Sequence, residues 1–107
     1  MGPPFGTRVD ERDGIAVMAL SGELDMASAP ILREDLAQVE ASGVLAIMLD
    51  LREVTFIDST GLHEFLQARS RAQDNGHRLL MSGASPAAQR LFELTGTRFL
   101  LDEHGVE

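Results

Sequence analysis

Asp58, Ser59 and Thr60 set a carboxylate and two hydroxyls on consecutive positions, between the apolar pair Phe56 and Ile57 and a glycine, Gly61. Downstream, Leu62, Phe65, Leu66, Arg69 and Ala72 recur at helical spacing, so Asp58 and Ser59 fall at a helix N-terminus. Upstream, Leu45, Ala46, Ile47, Met48 and Leu49 form a continuous apolar run, the pattern of a strand covered on both faces. A helix start presents unpaired N–H groups and the positive end of the peptide dipoles. Two readings of Ser59 follow. It is a plain N-cap, the ordinary use of serine there, or it is a phosphoacceptor whose phosphate is tolerated at the helix start. Gly61 inside the first turn costs about 1 kcal/mol against alanine, which points to close approach of another backbone or a partner.

Other chemistry finds no support in the residues. A nucleophile elbow needs glycine two residues before and after its serine; the preceding position is Ile57, so only Gly61 fits. No P-loop occurs, and no Ser, His and Asp set stands out, so no catalytic residue is assigned. His77 and His104 lack partners at metal spacing, and with no cysteine there is no thiolate site; neither metal nor cofactor is expected. Glu23 and Asp25 follow an apolar stretch and can share a sheet edge with the serine, and on the residues alone Asp25 reads as a loop carboxylate ahead of Ser28.

The elements that must hold these residues are legible as one alternation. Asp13 and Gly14 suit a type I′ hairpin turn between strands at 7–12 and 15–21. Ser28 caps a helix reaching Ala41, with Ala29, Leu32, Leu36 and Val39 inward and Gly43 ending it. A strand at 45–51, the helix from Ser59 to Asn75 and Gly76, and a strand at 78–82 follow. Ser85 and Pro86 open a helix to about Leu94. Thr97 to Leu101 suggest a last strand. The expected fold is α/β: one domain at 7–101 with a mixed sheet, an N-terminal hairpin and helices packed against it. Residues 1–6 read as a flexible lead-in and 102–107 as a fraying tail.

At 107 residues and 44% apolar content the chain suits a single core. Its net charge of −8 argues against direct nucleic-acid binding, which draws on clustered cations. No secretory leader and no membrane-spanning stretch are read, so a cytoplasmic location without membrane insertion is expected.

The run Phe56 to Leu62, with Ser21, Gly22, Glu23, Leu24 and Asp25 upstream and Ser85 to Gly96 downstream, resembles the STAS domain of bacterial anti-sigma factor antagonists. Three separated motifs over about 7–101 carry the resemblance. It implies partner switching in the control of transcription. In that family the unphosphorylated domain binds an anti-sigma factor serine kinase of the histidine-kinase-like ATPase fold and frees a sigma factor. Phosphorylation of the serine matching Ser59 ends the complex, and a phosphoserine phosphatase restores it. The implied docking set is Asp25, Asp58, Ser59, Thr60, Gly61, Leu62 and His63, with Thr60 the alternative acceptor and Asp58 a structural or docking carboxylate. His63 stands where many relatives have glycine. Many relatives also carry a further C-terminal helix, for which this chain leaves little room. The other use of such domains is as a non-catalytic scaffold in a stress-signalling assembly or as a membrane-transporter accessory.

Overall fold

Residues 3–102 are described by a computed structural model. The hairpin forms as read: β1 (Gly6–Arg12) and β2 (Ile15–Leu24) pair antiparallel, with Arg12 opposite Ile15. Asp13 (φ 56°) and Gly14 (φ 82°) both take the left-handed conformation that a type I′ turn requires. Then follow α1 (Ala29–Ala41), β3 (Ala46–Ile57), α2 (Ser59–Asn75), β4 (Arg78–Ser82), α3 (Pro86–Thr95) and a single-turn α4 (Phe99–Asp102).

The four strands stand in sequence order, and β2, β3 and β4 run parallel. Two successive right-handed crossovers advancing in the same direction must lay both connecting helices on the same face of a sheet. The core therefore lies between α1, α2 and α3 and one face of the sheet. Met18, Leu20, Leu24, Leu32, Leu36, Ile47, Leu49, Leu51, Phe65, Met81 and Phe92 are fully buried there. Phe65 of α2 meets Phe92 of α3 at 6.3 Å between ring centroids, a separation at which tilted aromatic pairs attract.

Four expectations need correction. The apolar run at 45–49 is not a strand covered twice: Leu45 lies outside β3 and is 72% exposed, and Met48 is only half-buried. Val17, registered beside Met48 on the face without helices, stays exposed.

Both inner strands also run further than their alternation suggests. Between Ala19↔Asp50 and Ser21↔Glu53, and again between Gly22↔Val54 and Glu23↔Phe56, β3 advances one residue more than β2. These bulges convert period-two burial into a three-residue rhythm with Leu51, Val54 and Ile57 inward, which hides the strand from a simple pattern.

Residues Thr97 to Leu101 form no strand. Leu100 N–H and Leu101 N–H bond the carbonyls of Thr97 and Arg98 three residues back, burying Leu100 and setting Phe99 under the Arg69 guanidinium at 5.2 Å. A short apolar run does not by itself separate strand from helix.

Lastly, Pro3 to Phe5 are held rather than free. The Pro3 carbonyl accepts from Glu23 N–H at 3.3 Å, Phe5 packs on the core, and Gly22 (φ 84°) has no room for a Cβ beside the Pro4 carbonyl. Met1, Gly2 and 103–107, the bulk of the tail and His104 with it, lie outside the described residues.

Candidate functional site

The parallel register sets Leu24 beside Ile57, and Asp58 N–H donates to the Leu24 carbonyl at 3.2 Å. The chain thus leaves β2 and β3 side by side, and the two motif-bearing junctions meet at the carboxyl ends of adjacent parallel strands. Ligand and partner sites of α/β sheets concentrate at such ends.

At the β3–α2 junction the cap is Asp58. Its backbone is extended (φ −113°, ψ −173°), and Oδ1 accepts from Thr60 N–H at 3.0 Å and Gly61 N–H at 3.1 Å. The Asp58 carbonyl takes the Leu62 N–H at 3.1 Å. Ser59 is therefore the first helical residue and not the cap, and its exposed hydroxyl makes no hydrogen bond among the described residues. Thr60 is half-buried beside it, which leaves the Ser59 hydroxyl the more accessible of the two. Gly61 is buried, and a Cβ there would sit 2.7 Å from Leu24 Cγ and 3.0 Å from Ile57 Cγ1. The close approach foreseen at this glycine is made by the protein's own core, which seats the first turn of α2 on the ends of β2 and β3. Leu62 anchors that turn in the core, while His63 points to solvent.

At the β2–α1 junction the same residue types are used differently. Ser28 occupies the cap position of α1 but gives the helix no side-chain bond. Its Oγ accepts from Asp25 N–H at 2.9 Å and lies 2.8 Å from the Glu23 carbonyl, to which it donates. Asp25 Oδ1 takes the N–H groups of Ala27 (3.0 Å) and Ser28 (3.1 Å). The side-chain cap expected of Ser28 is therefore not made: the Asp25 carboxylate holds amides of the loop ahead of α1, and the Ala29 N–H goes to the Asp25 carbonyl at 2.8 Å. Asp25 remains half-buried beside the exposed Met26.

Two ion pairs join the helices that start at these junctions. Arg33 of α1 grips the buried Glu64 of α2, with Nη2 to Oε2 at 2.6 Å and Nε within 3.3 Å of both oxygens. Further along, Arg71 Nε of α2 meets Glu40 of α1 at 3.0 and 3.1 Å. Sequence reasoning passed over Glu64. Its signal was an acidic residue between Leu62 and Phe65, where a buried carboxylate requires a partner. Among the described residues no cluster of metal ligands exists, and no helix is long and apolar enough to cross a membrane.

The family model of the STAS domain matches residues 7–104. The chain belongs to the STAS domain family. An anti-sigma-B factor antagonist of Listeria monocytogenes is 32% identical over 100 residues, which cover 92% of this chain and 88% of that protein. The crystal structure of an anti-sigma factor antagonist from Mycobacterium paratuberculosis superposes with a TM-score of 0.77 at 30% identity, covering 92% and 83% of the two chains. The STAS fold is shared further with the Bacillus cell fate determinant SpoIIAA. Its unphosphorylated form gives a TM-score of 0.77 over 90% and 85% of the chains, and its phosphorylated form 0.71 over 90% and 88%, both at 19% identity.

Proposed function

We propose that this protein is an anti-sigma factor antagonist that docks an anti-sigma factor serine kinase over Ser59 and is released when that kinase phosphorylates it. The observation that carries the reading is the free hydroxyl of Ser59. Asp58 performs the capping, so the acceptor is exposed at the first helical position with no structural duty to abandon. In the transfer the γ-phosphoryl group of ATP passes to Ser59 Oγ, ADP departs, and the hydroxyl proton goes to a base on the kinase. Nothing in this chain needs to be catalytic.

The off state follows from charge. A phosphoserine brings about −1.5 to −2 units at neutral pH. Asp58 already holds the Thr60 and Gly61 N–H groups that an anion at a helix start would seek. The phosphate therefore stands beside a carboxylate with fewer amide partners than an open helix end offers, and burying that pair under a partner costs repulsion and desolvation. Asp25, on the neighbouring junction, adds to the same negative field. Release without unfolding is the consequence, and a phosphatase reverses it. The kinship with anti-sigma-B factor antagonists supports the reading, as does the existence of SpoIIAA structures in both phosphorylation states.

The test is incubation of the purified chain with ATP, magnesium and anti-sigma factor kinases from the same genome, followed by peptide mass spectrometry and a parallel binding assay. One phosphate on Ser59 with loss of binding is expected. Phosphate on Thr60 instead, or undiminished binding after modification of Ser59, overturns the switch.

A further inference from the structure

A stable protein complex covers about 800 Å² on each partner, more than Ser59, Met26, Ala27 and His63 expose around the phosphoacceptor. The partner must extend over adjoining surface. Along β3, immediately before Asp58, lies a groove of about 710 Å³ with Val54, Phe56 and Ile57 on one side and α3 on the other. Its origin is topological. β4 pairs with β3 only as far as Asp50, opposite Ser82, so the bulged end of β3 projects beyond it. The chain then returns through Ser85, whose N–H bonds the Leu51 carbonyl, and α3 runs beside the projecting strand.

Helix α3 has two apolar stripes. Ala88 and Phe92 enter the core, whereas Ala87, Leu91 and Leu94, spaced i, i+4 and i+7, line the groove. Leu94 is 78% exposed and Phe56 47%, and both line the same groove, so their apolar surface is contiguous there. The groove also has a selective charge. Arg52 is bound to Asp50 at 2.7 Å, with Glu53 adding to its surrounding negative charge, whereas Arg90 has no carboxylate partner among the described residues. Of the two arginines that line the groove, Arg90 is the one left to meet a negative group from outside.

We infer that this groove is a second docking site for the same partner that engages Ser59, and that it receives an apolar segment bearing a carboxylate opposite Arg90. The inference rests on the proposed kinase interaction. Continuity supports it: two residues separate Phe56 from Ser59, so a partner seated on the phosphoacceptor reaches the groove without a gap. Charge complementarity fixes the chemistry of the segment, and phosphorylation leaves this contact untouched. The groove thus gives the kinase a hold on its substrate that is independent of the reacting hydroxyl.

The experiment is steady-state phosphorylation of the full chain by an anti-sigma factor kinase of the same genome that modifies Ser59, with hydrogen exchange of the complex read by mass spectrometry. Leu94→Asp, on an exposed side chain, is expected to raise KM about tenfold or more, the loss typical of a buried apolar anchor. Arg90→Glu is expected to raise KM several-fold, Arg90→Lys less, with kcat within about twofold for all three. Amides of residues 53–57 and 90–94 gain protection. If KM and groove exchange stay unchanged while Ser59 is phosphorylated normally, the groove is overturned and the switch stands. If wild-type protein is neither bound nor phosphorylated, the switch falls and the groove assignment with it. Groove protection that appears on raising the concentration of this protein alone assigns it to a second copy, and also overturns the inference.

Discussion

The two junctions at the carboxyl ends of β2 and β3 are built from the same parts and reach opposite results. Each has an aspartate whose Oδ1 accepts two backbone amides, and each has a serine nearby. Ser28 follows its aspartate by three residues, is buried, and spends its hydroxyl on the loop. Ser59 follows by one, sits on the first turn, and keeps its hydroxyl in water. Spacing from the carboxylate, and not the serine itself, decides which hydroxyl is structural and which is open to solvent. A motif centred on serine is incomplete without the residue that relieves it of capping.

The largest effect that sharpens this contrast is on binding. Ser59→Asp is expected to weaken the kinase complex about 100-fold or more, since like charge placed in an interface costs several kcal/mol. Its melting temperature should stay near wild type, which calorimetry beside isothermal titration will show. Within the same first turn, Gly61→Ala forces a Cβ to 2.7 Å from Leu24 Cγ, an overpacking worth about 1–3 kcal/mol of stability by urea denaturation. Ser28→Ala leaves the Asp25 N–H and Glu23 carbonyl short of a partner and should cost about 1–3 kcal/mol in the same assay.

Smaller still is the comparison at the cap. Asp58→Ala should cost about 0.5–2 kcal/mol, whereas Ser59→Ala should stay within about 0.5 kcal/mol and bind the kinase constitutively. If Ser59→Ala instead proves the more costly of the two, the division of labour at this junction is wrong.

The mildest effect lies on the face of the sheet that carries no helices. Hydrogen bonds from Arg52 chiefly, opposed by partial burial and aided by the charges of Arg52 and Arg8, hold the Asp50 carboxyl below the usual carboxylate range. A depressed folded-state pKa contributes stability that is present above the unfolded value, roughly pH 4, and lost as pH falls through the folded value. Acid titration of unfolding should show Asp50→Asn flattening that fall below about pH 4 while leaving the neutral-pH slope unchanged.

Legibility in the sequence divided along the range of the interactions involved. The Asp13–Gly14 turn, the Ser85 cap with Oγ accepting from Ala88 N–H at 3.2 Å, and the left-handed Gly76 end of α2 were all readable, because each depends on a few consecutive residues. The inward positions of α1 were readable from periodicity, and Ala29, Leu32, Leu36 and Val39 are its buried residues. What escaped was set at a distance. The bulges of β3 exist only relative to β2, and the fate of 97–101 depended on whether a strand could pair there. At the site, Asp58, Ser59, Leu62 and Asp25 were named in advance, but the identity of each cap was not. Asp, Ser and Thr are equivalent candidates until the chain direction through the turn chooses among them.

The paired arginines and glutamates of α1 and α2 reach beyond stability. The helices run in the same direction, and α1 presents Arg33 and then Glu40 where α2 presents Glu64 and then Arg71. Sliding one helix by two turns would bring Arg33 against Arg71, or Glu40 against Glu64, so either slip sets like charges together. The pattern works as a phase mark between two rods. It sets the relative height of the loops at their tips, so that two distant stretches of chain present Asp25 and Ser59 in one alignment.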